Sequence, residues 1–367
     1  MTVRITKPEF NLREKITELD RPVGLHGNEI LKSETPQGTF DLVGTGRKNM
    51  IINGGMTISQ RYGTSEHTPA HTQHVLDRMS FDVHVSNKLK AQQVTDAPKG
   101  FSHSMKVTSL SAHSTVAANY FLMQYFVEGN DSARLKWGTS EAQPVTLSFY
   151  VKSSLAGIHA CGIRNDAYNR SITHPYTIEQ ADTWEYKTVT FPGDTTGTWL
   201  TDENPGLKIN FDLGSGSDYD ANTTGTWLAN AAFTKSNTVK FVGTNGATWY
   251  ITGIQLESGR LATPFEHRHR TEELLLCQRY YQVHDGHYFQ VVSSATGANA
   301  DFYVTLPYWV PMNHGPDVTE SYTTSGATTN NLVTVTRTKA KFSLRPTSAD
   351  TEIYVSADTL RLDAEIT

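Results

Sequence analysis

This 367-residue chain is short of charge: Asp, Glu, Lys and Arg make up 19% of it, against about 25% in an average globular domain. Its formal net charge is −5 and its Lys and Arg residues are scattered, so there is no basic field to hold a nucleic-acid backbone. Nucleic-acid binding is disfavoured. Long apolar runs are also missing. None approaches the ~20 residues that a membrane-spanning helix needs, and no membrane insertion is expected. The opening MTVRITKPEFNLREK lacks the apolar core of a secretory leader. Cysteine occurs only at Cys161 and Cys277, with no CxxC spacing. Two such thiols read as buried packing residues of a chain folded in a reducing cytoplasm. No GxSxG, HExxH or Walker motif occurs, and acidic pairs such as Asp182 and Glu185 are too ordinary to nominate as catalytic carboxylates. The expectation is a protein that is not an enzyme.

Thr, Ser, Asn and Gly fill the place of the missing charge, as in turn-rich β proteins. Strand candidates over residues 47–268 are MIING at 50–54, FDVHVS at 81–86, HSMKVTSL at 103–110, YFLMQYF at 120–126 and VTLSFYVKSS at 145–154. WEYKTVTF at 184–191, LKINFDL at 207–213, VKFVG at 239–243 and ATWYITGIQLE at 247–257 follow. So many strands with no amphipathic helix between them make the pattern of a jelly-roll-like β-sandwich in an all-β chain. In VTLSFYV, Val145, Leu147, Phe149 and Val151 alternate with Thr, Ser and Tyr, giving one core face and one half-wet face. Residues 285–367 read as β again: Phe302, Val304 and Leu306 share one face, and Leu360, Leu362, Ala364 and Ile366 share another. A smaller C-terminal β-sandwich fits.

Two helices interrupt this pattern. Asn11 and Glu14 have capping-box spacing, and Leu12, Ile16 and Leu19 recur at helical intervals. With Phe10 they form a stripe too small for a core of its own, and so short a helix needs outside packing to persist. Residues 1–46 are therefore expected to be an anchoring segment. The second helix follows Pro264: Thr271 is placed to cap it, Glu272 and Glu273 sit in its positive first turn, and Leu274, Cys277 and Tyr281 share a face. Residues 269–284 are read as a connector helix between the two sandwiches, 47–268 and 285–367.

Candidate site residues are few. His67, His71 and His74 have helical spacing, but Pro69 interrupts the segment and no carboxylate or Cys completes a metal set. Asp212, Asp218 and Asp220 lie in a Gly/Ser loop, yet the EF-hand position twelfth from Asp212 is Thr223. No metal or cofactor is expected, with a structural calcium in a jelly-roll loop left open. The stretch TTGTWL occurs twice, at 195–200 and 223–228, and presents Trp199 and Trp227 on similar turns. Such rings could stack on the apolar C–H faces of sugars, or pack within protein as large aromatics do.

Longer stretches are more specific. RKNMIINGGMTISQRYG, SFYVKSSLAG, NRSITHPYTIEQADTWEYKTVTFPGDTTGTW, LKINFDLGSGS, ATWYITGIQLESG and ATPFEHRHRTEELLLCQRYYQ resemble a virion protein of tailed bacteriophages, especially marine ones. The resemblance covers roughly residues 8–282, and the ending LDAEI also looks like that family's last strand. Met79 in HVLDRMSF departs from it, standing where an aromatic is expected. The resemblance implies a non-enzymatic tail fibre or virion structural protein, made in the host cytoplasm and carried on the virion. It further implies a central module similar to carbohydrate-binding jelly rolls, assembly as a homotrimer, and contact with other virion proteins of tail or capsid. The resemblance names no binding residues; a host cell-surface glycan is one candidate partner, and Trp199 and Trp227 are nominated for it from their turns alone. A capsid-decorating protein and a polysaccharide depolymerase are the alternatives.

Overall fold

The computed structural model describes residue 32 and residues 47–292, 302–325, 327–346 and 352–366. Phe10, Leu12, Ile16 and Leu19, with the anchoring role expected of them, lie outside the described residues. The chain divides into two compact units, Met1–Lys48 and Asn49–Thr367. All the described strands belong to the second.

The first part of that unit contains β1 (Gln73–Leu76), β2 (Met79–Val83), β3 (Leu89–Val94), β4 (Ser104–Ser109) and β5 (Phe121–Glu128). After a single-turn helix α1 (Gly129–Ser132) come β6 (Val145–Ser153), β7 (Gly157–Arg164), β8 (Ser171–Ile178), β9 (Glu185–Phe191), β10 (Pro205–Asp212) and β11 (Thr248–Ser258). They pair into an antiparallel six-stranded sheet, β1-β2-β5-β10-β7-β8, and a five-stranded sheet, β3-β4-β11-β6-β9. From β4 to β7, and again from β8 to β11, the chain changes sheet at every connection, which makes the sandwich a jelly roll. The alternation read in β6 holds: Val145, Leu147, Phe149 and Val151 are buried and pack with Phe211, Trp249, Ile251 and Phe121 between the sheets. Cys161 is a buried thiol in this core and Cys277 is buried as well.

Two expected strands are not strands. MIING is a turn, because the Asn side chains take over the backbone's bonding: Asn49 Oδ1 accepts from the Ile51 N–H, and Asn53 Oδ1 from the Ile58 N–H. Asn53 and Met56 lie in the left-handed region, which breaks extension. VKFVG closes instead into a 3₁₀ turn, Phe241–Gly243, whose Phe241 and Val242 plug the core. Conversely, β1, β3, β7 and β8 escaped the hydrophobic pattern. β3 (LKAQQV) and β7 (GIHACGIR) carry polar or small residues on both faces, and β8 contains Pro175, which its place at a sheet edge tolerates.

The helix α2 (Arg270–Gln278) starts one residue after His269, whose ring accepts from the Thr271 N–H at 3.3 Å. His269, not Thr271, is the N-cap. Glu272 and Glu273 do occupy the first turn. Arg268 reaches the carbonyls of Asn49 and Ile51, so the His-Arg-His run ties the helix entry to the folded turn. Cys277 and Tyr280 then pack with Ile52, Ile58, Phe126 and Ile366.

Beyond the helix are β12 (Tyr281–Val292), β13 (Phe302–Pro307), β14 (Asp317–Ser325), β15 (Ala327–Val335), β16 (Lys339–Pro346) and β17 (Glu352–Asp363). They form two three-stranded sheets, β12-β17-β14 and β13-β16-β15. Between them lies a small core of Leu306, Tyr308, Met312, Ala340, Leu360, Leu362 and Ala364. The chain is all-β, a jelly-roll-like sandwich followed by a smaller one.

Candidate functional site

The two nominated tryptophans come together, and a third joins them. Trp137, Trp199 and Trp227 meet edge to face, with ring centroids 4.7, 5.3 and 5.3 Å apart. Each indole N–H is satisfied inside the protein: Trp137 on the Gln143 carbonyl, Trp227 on the Pro192 carbonyl, and Trp199 on Asp194 and the Thr196 carbonyl. Asp194 in turn is held by Arg170 at 2.6 Å. Trp199 also borders a cavity of about 390 Å³ shared with Lys136, Glu141, Leu200 and Thr201; Trp227 does not. The repeated turns thus build one aromatic cluster at an end of the sandwich.

The histidines disperse. His67 stacks on Tyr62 at 3.9 Å, His71 faces Asp82 at 2.8 Å, and His74 is buried 3.5 Å from Glu365. Asp212 accepts from the Gly214 and Ser215 N–H groups and from the Thr234 hydroxyl, closing its own loop. Among the described residues, no three His, Cys, Asp or Glu side chains converge as a metal set.

A different surface has the geometry of a ligand platform: the outer face of the five-stranded sheet. Strand register sets it out. Tyr250 of β11 lies opposite Lys152 of β6 on one side and Lys106 of β4 on the other, and Lys106 lies opposite Gln92 of β3. Trp184, just before β9, extends the row beyond Lys152. One register step away, Tyr150 pairs with Tyr186 across β6 and β9, with ring centroids 4.9 Å apart.

The Lys152 ammonium sits 4.2 Å from the Tyr250 ring centroid and 5.3 Å from that of Trp184. Cation–π attraction favours this arrangement. Asp96 holds both ends of it, binding the ammonium and accepting from the Trp184 indole N–H at 3.1 Å. Partial burial would raise the Asp96 carboxyl, but the hydrogen bonds from Lys152 and Trp184 outweigh that and lower its pKa. Trp184, Tyr150 and Tyr250 are half-buried, and Tyr186 is 46% exposed.

Phe101 walls the row by packing on Tyr150, Phe265 and His267 at 5.0–5.4 Å. It can do so because residue 253 is glycine: φ is +63°, and a Cβ there would stand 2.7 Å from the Phe101 ring. The signal for this face was the half-wet alternation of β6. What sequence alone could not provide was which residues of four other strands stand beside it.

No family model matches the chain, and no curated protein matches its sequence. Solved structures resemble parts of it. The enzymatically active domain of bacteriophage CBA120 tailspike protein 4 aligns over 57% of this chain at 12% identity, with a TM-score of 0.31. This chain spans only 21% of that domain's length. A putative sugar binding protein from Bacteroides thetaiotaomicron aligns over 58% of this chain and 100% of its own, at 13% identity and TM-score 0.30. A family 11 carbohydrate-binding module of a Clostridium thermocellum cellulosomal cellulase aligns over 56% and 99%, at 15% and 0.28. At these identities and scores no residue's role passes from them to this chain.

Proposed function

We propose that this chain is a host-recognition component of a bacteriophage particle, a trimeric tail fibre whose jelly roll binds a cell-surface glycan without cleaving it. The observation that carries glycan binding is the row Trp184–Lys152–Tyr250–Lys106–Gln92, which crosses β6, β11, β4 and β3 from the residue before β9, with Tyr150 and Tyr186 beside it. Flat rings remove the apolar C–H faces of pyranoses from water, while neighbouring amide and ammonium groups bond the hydroxyls between those faces. The phage setting rests on the sequence resemblance carried by residues 8–282, as do the trimer and an N-terminal attachment to the particle.

The test uses the full chain and polysaccharide from host cells. Affinity electrophoresis should show retardation that Trp184→Ala and Tyr250→Ala each reduce about tenfold or more, equivalent to at least ~1.4 kcal/mol, with Tm little changed. Reducing ends should not accumulate. Retardation unchanged in both variants removes the sheet face as the site. Release of reducing ends that a single acidic substitution abolishes makes the chain a depolymerase. A second reading places the glycan in the cavity beside Trp199, and Trp199→Ala would then abolish retardation when Tyr250→Ala does not.

A further inference from the structure

The outer face of the six-stranded sheet is unlike that of its partner: it buries cations. Lys208 of β10 and Arg164 of β7 are direct cross-strand neighbours, 3% and 0% exposed. Like charges opposite each other on adjacent strands repel, and burying each is costly unless it is paired. The pairing is incomplete. Lys208 has one carboxylate in contact, Asp166 at 2.8 Å and itself 39% exposed, while the Asp82 carboxylate acts on both cations at longer range. Arg164 donates through Nε to Asn210 Oδ1, 3.4 Å away, and also interacts with the Tyr168 side chain. Its two terminal amino groups meet no acceptor at hydrogen-bonding geometry among the described residues.

An open pocket of about 530 Å³ lies on this face, lined by Thr72, Gln124, Phe126, Asp166, Tyr168 and Lys208, within the usual size range for small-ligand sites. Tyr168 covers the guanidinium, its ring centroid 3.9 Å from the Arg164 Cζ, yet is itself 46% exposed. Its φ of +57° is a left-handed conformation that a tyrosine adopts only under constraint. The pocket thus sets a buried ammonium beside an aromatic wall.

We propose that this pocket is a second ligand site, separate from the aromatic row, that takes a carboxylate-bearing sugar such as a hexuronate. The ring lies against Tyr168, and the carboxylate shares the Lys208 ammonium with Asp166. An acceptor-only group suits this place because the Lys208 ammonium carries more donors than the single contacting carboxylate Asp166 can take, and a charge-assisted bond to a buried ammonium is stronger than a neutral one. Arg164 adds positive potential from below without touching the ligand. The site uses none of the residues of the proposed glycan row, so either can fail alone.

Methyl glucuronide, with methyl glucoside as the neutral control, is titrated into the full chain and followed by ligand-observed NMR. The glucuronide should bind, the glucoside at least tenfold more weakly. Lys208→Gln and Tyr168→Gly should each weaken the glucuronide by at least fivefold, with circular dichroism showing that both variants are folded, and Tyr168→Phe should keep most of the affinity. The titrations are made in the Tyr250→Ala background as well, where the aromatic row cannot contribute, and the preference for the glucuronide should persist there. Asp166→Asn should tighten binding several-fold, because it removes the carboxylate that competes for the ammonium; a merely structural Asp166 would not do this. Equal affinity for the two probes, no binding of either, or glucuronide binding indifferent to Lys208, Tyr168 and Asp166 overturns the proposal.

Discussion

At the scale of single residues, the aromatics divide into those that hold the fold and those offered to a ligand. Trp137 is 9% exposed and is touched by both other cluster tryptophans. Trp137→Ala should lower stability by about 3–5 kcal/mol, the range for emptying a large aromatic site, measured by urea denaturation. Tyr250→Ala should cost far less, since its ring is already half in solvent. If the two lose equal stability, the sheet-face aromatics are packing residues and the binding row loses its argument. The tryptophan turns were legible in the sequence as a repeat. Their convergence on Trp137 was not, because residues so distant in the chain meet only when their loops fold over the same end. The same holds for Tyr250 and Lys152: each strand shows its own alternation, and nothing in a strand names its neighbour.

At the scale of elements, the end of β17 is fastened to the first sheet by charge. Glu365 binds Arg78, which also donates to the Phe126 carbonyl and lies 3.6 Å from the Tyr280 ring centroid. Arg61 reaches Glu365 at 3.3 Å and Asp363 at 2.6 Å. Burial would raise the Glu365 carboxyl, but the charges of His74, Arg78 and Arg61 outweigh it and hold it down at about 2. Burial pushes His74 down to about 4.

Both shifts carry one sign. A histidine that ionises near 6.5 when unfolded but near 4 when folded makes the unfolded state bind more protons between those values, so stability falls as pH drops through that window. Glu365 adds a further loss from about 4.5 toward 2. Tm should therefore decline steadily from about pH 6.5 to about pH 4, and His74→Gln should flatten that decline; an unchanged slope would assign it to other groups. Glu365→Ala leaves the Arg78 charge buried without its carboxylate and should cost about 3–5 kcal/mol in equilibrium unfolding, with Glu365→Gln losing less.

At the scale of the whole molecule, these contacts make the second sandwich a support for the first. The Ala364 N–H donates to the Tyr280 carbonyl, and Ile366 packs with Ile52, Phe126 and Cys277. A chain ending at Gln282 should therefore lose several degrees of Tm in its jelly roll, and one beginning at Asn49 should keep its Tm, because Asn49–Thr367 is a compact unit by itself. Scanning calorimetry of both checks this. An unaltered jelly-roll transition without residues 283–367 would mean that Arg61, Arg78 and His74 find other partners.

The all-β class, the strands β6, β9 and β10 with the core face of β6, and the helix after Pro264 were determined by the sequence alone. Each depends on periodicity or composition within a dozen residues, and burying an alternating face is enough to enforce it. The strands β3 and β7 were not legible in this way: Leu89, Ala91, Cys161 and Ile163 do reach the core, but polar or small residues beside them blur the alternation, and the ladders to their neighbours complete it. Nor was the turn at MIING, where Asn49 and Asn53 bonded a backbone whose apolar side chains read as strand. The two candidate surfaces depend wholly on tertiary structure. Trp184, Tyr250 and Lys106 become one row, and Lys208 and Arg164 one cationic pair, only through antiparallel register across strands distant in the chain. That register is set by the shared core beneath both faces, a property of the assembled sheets and of no single segment.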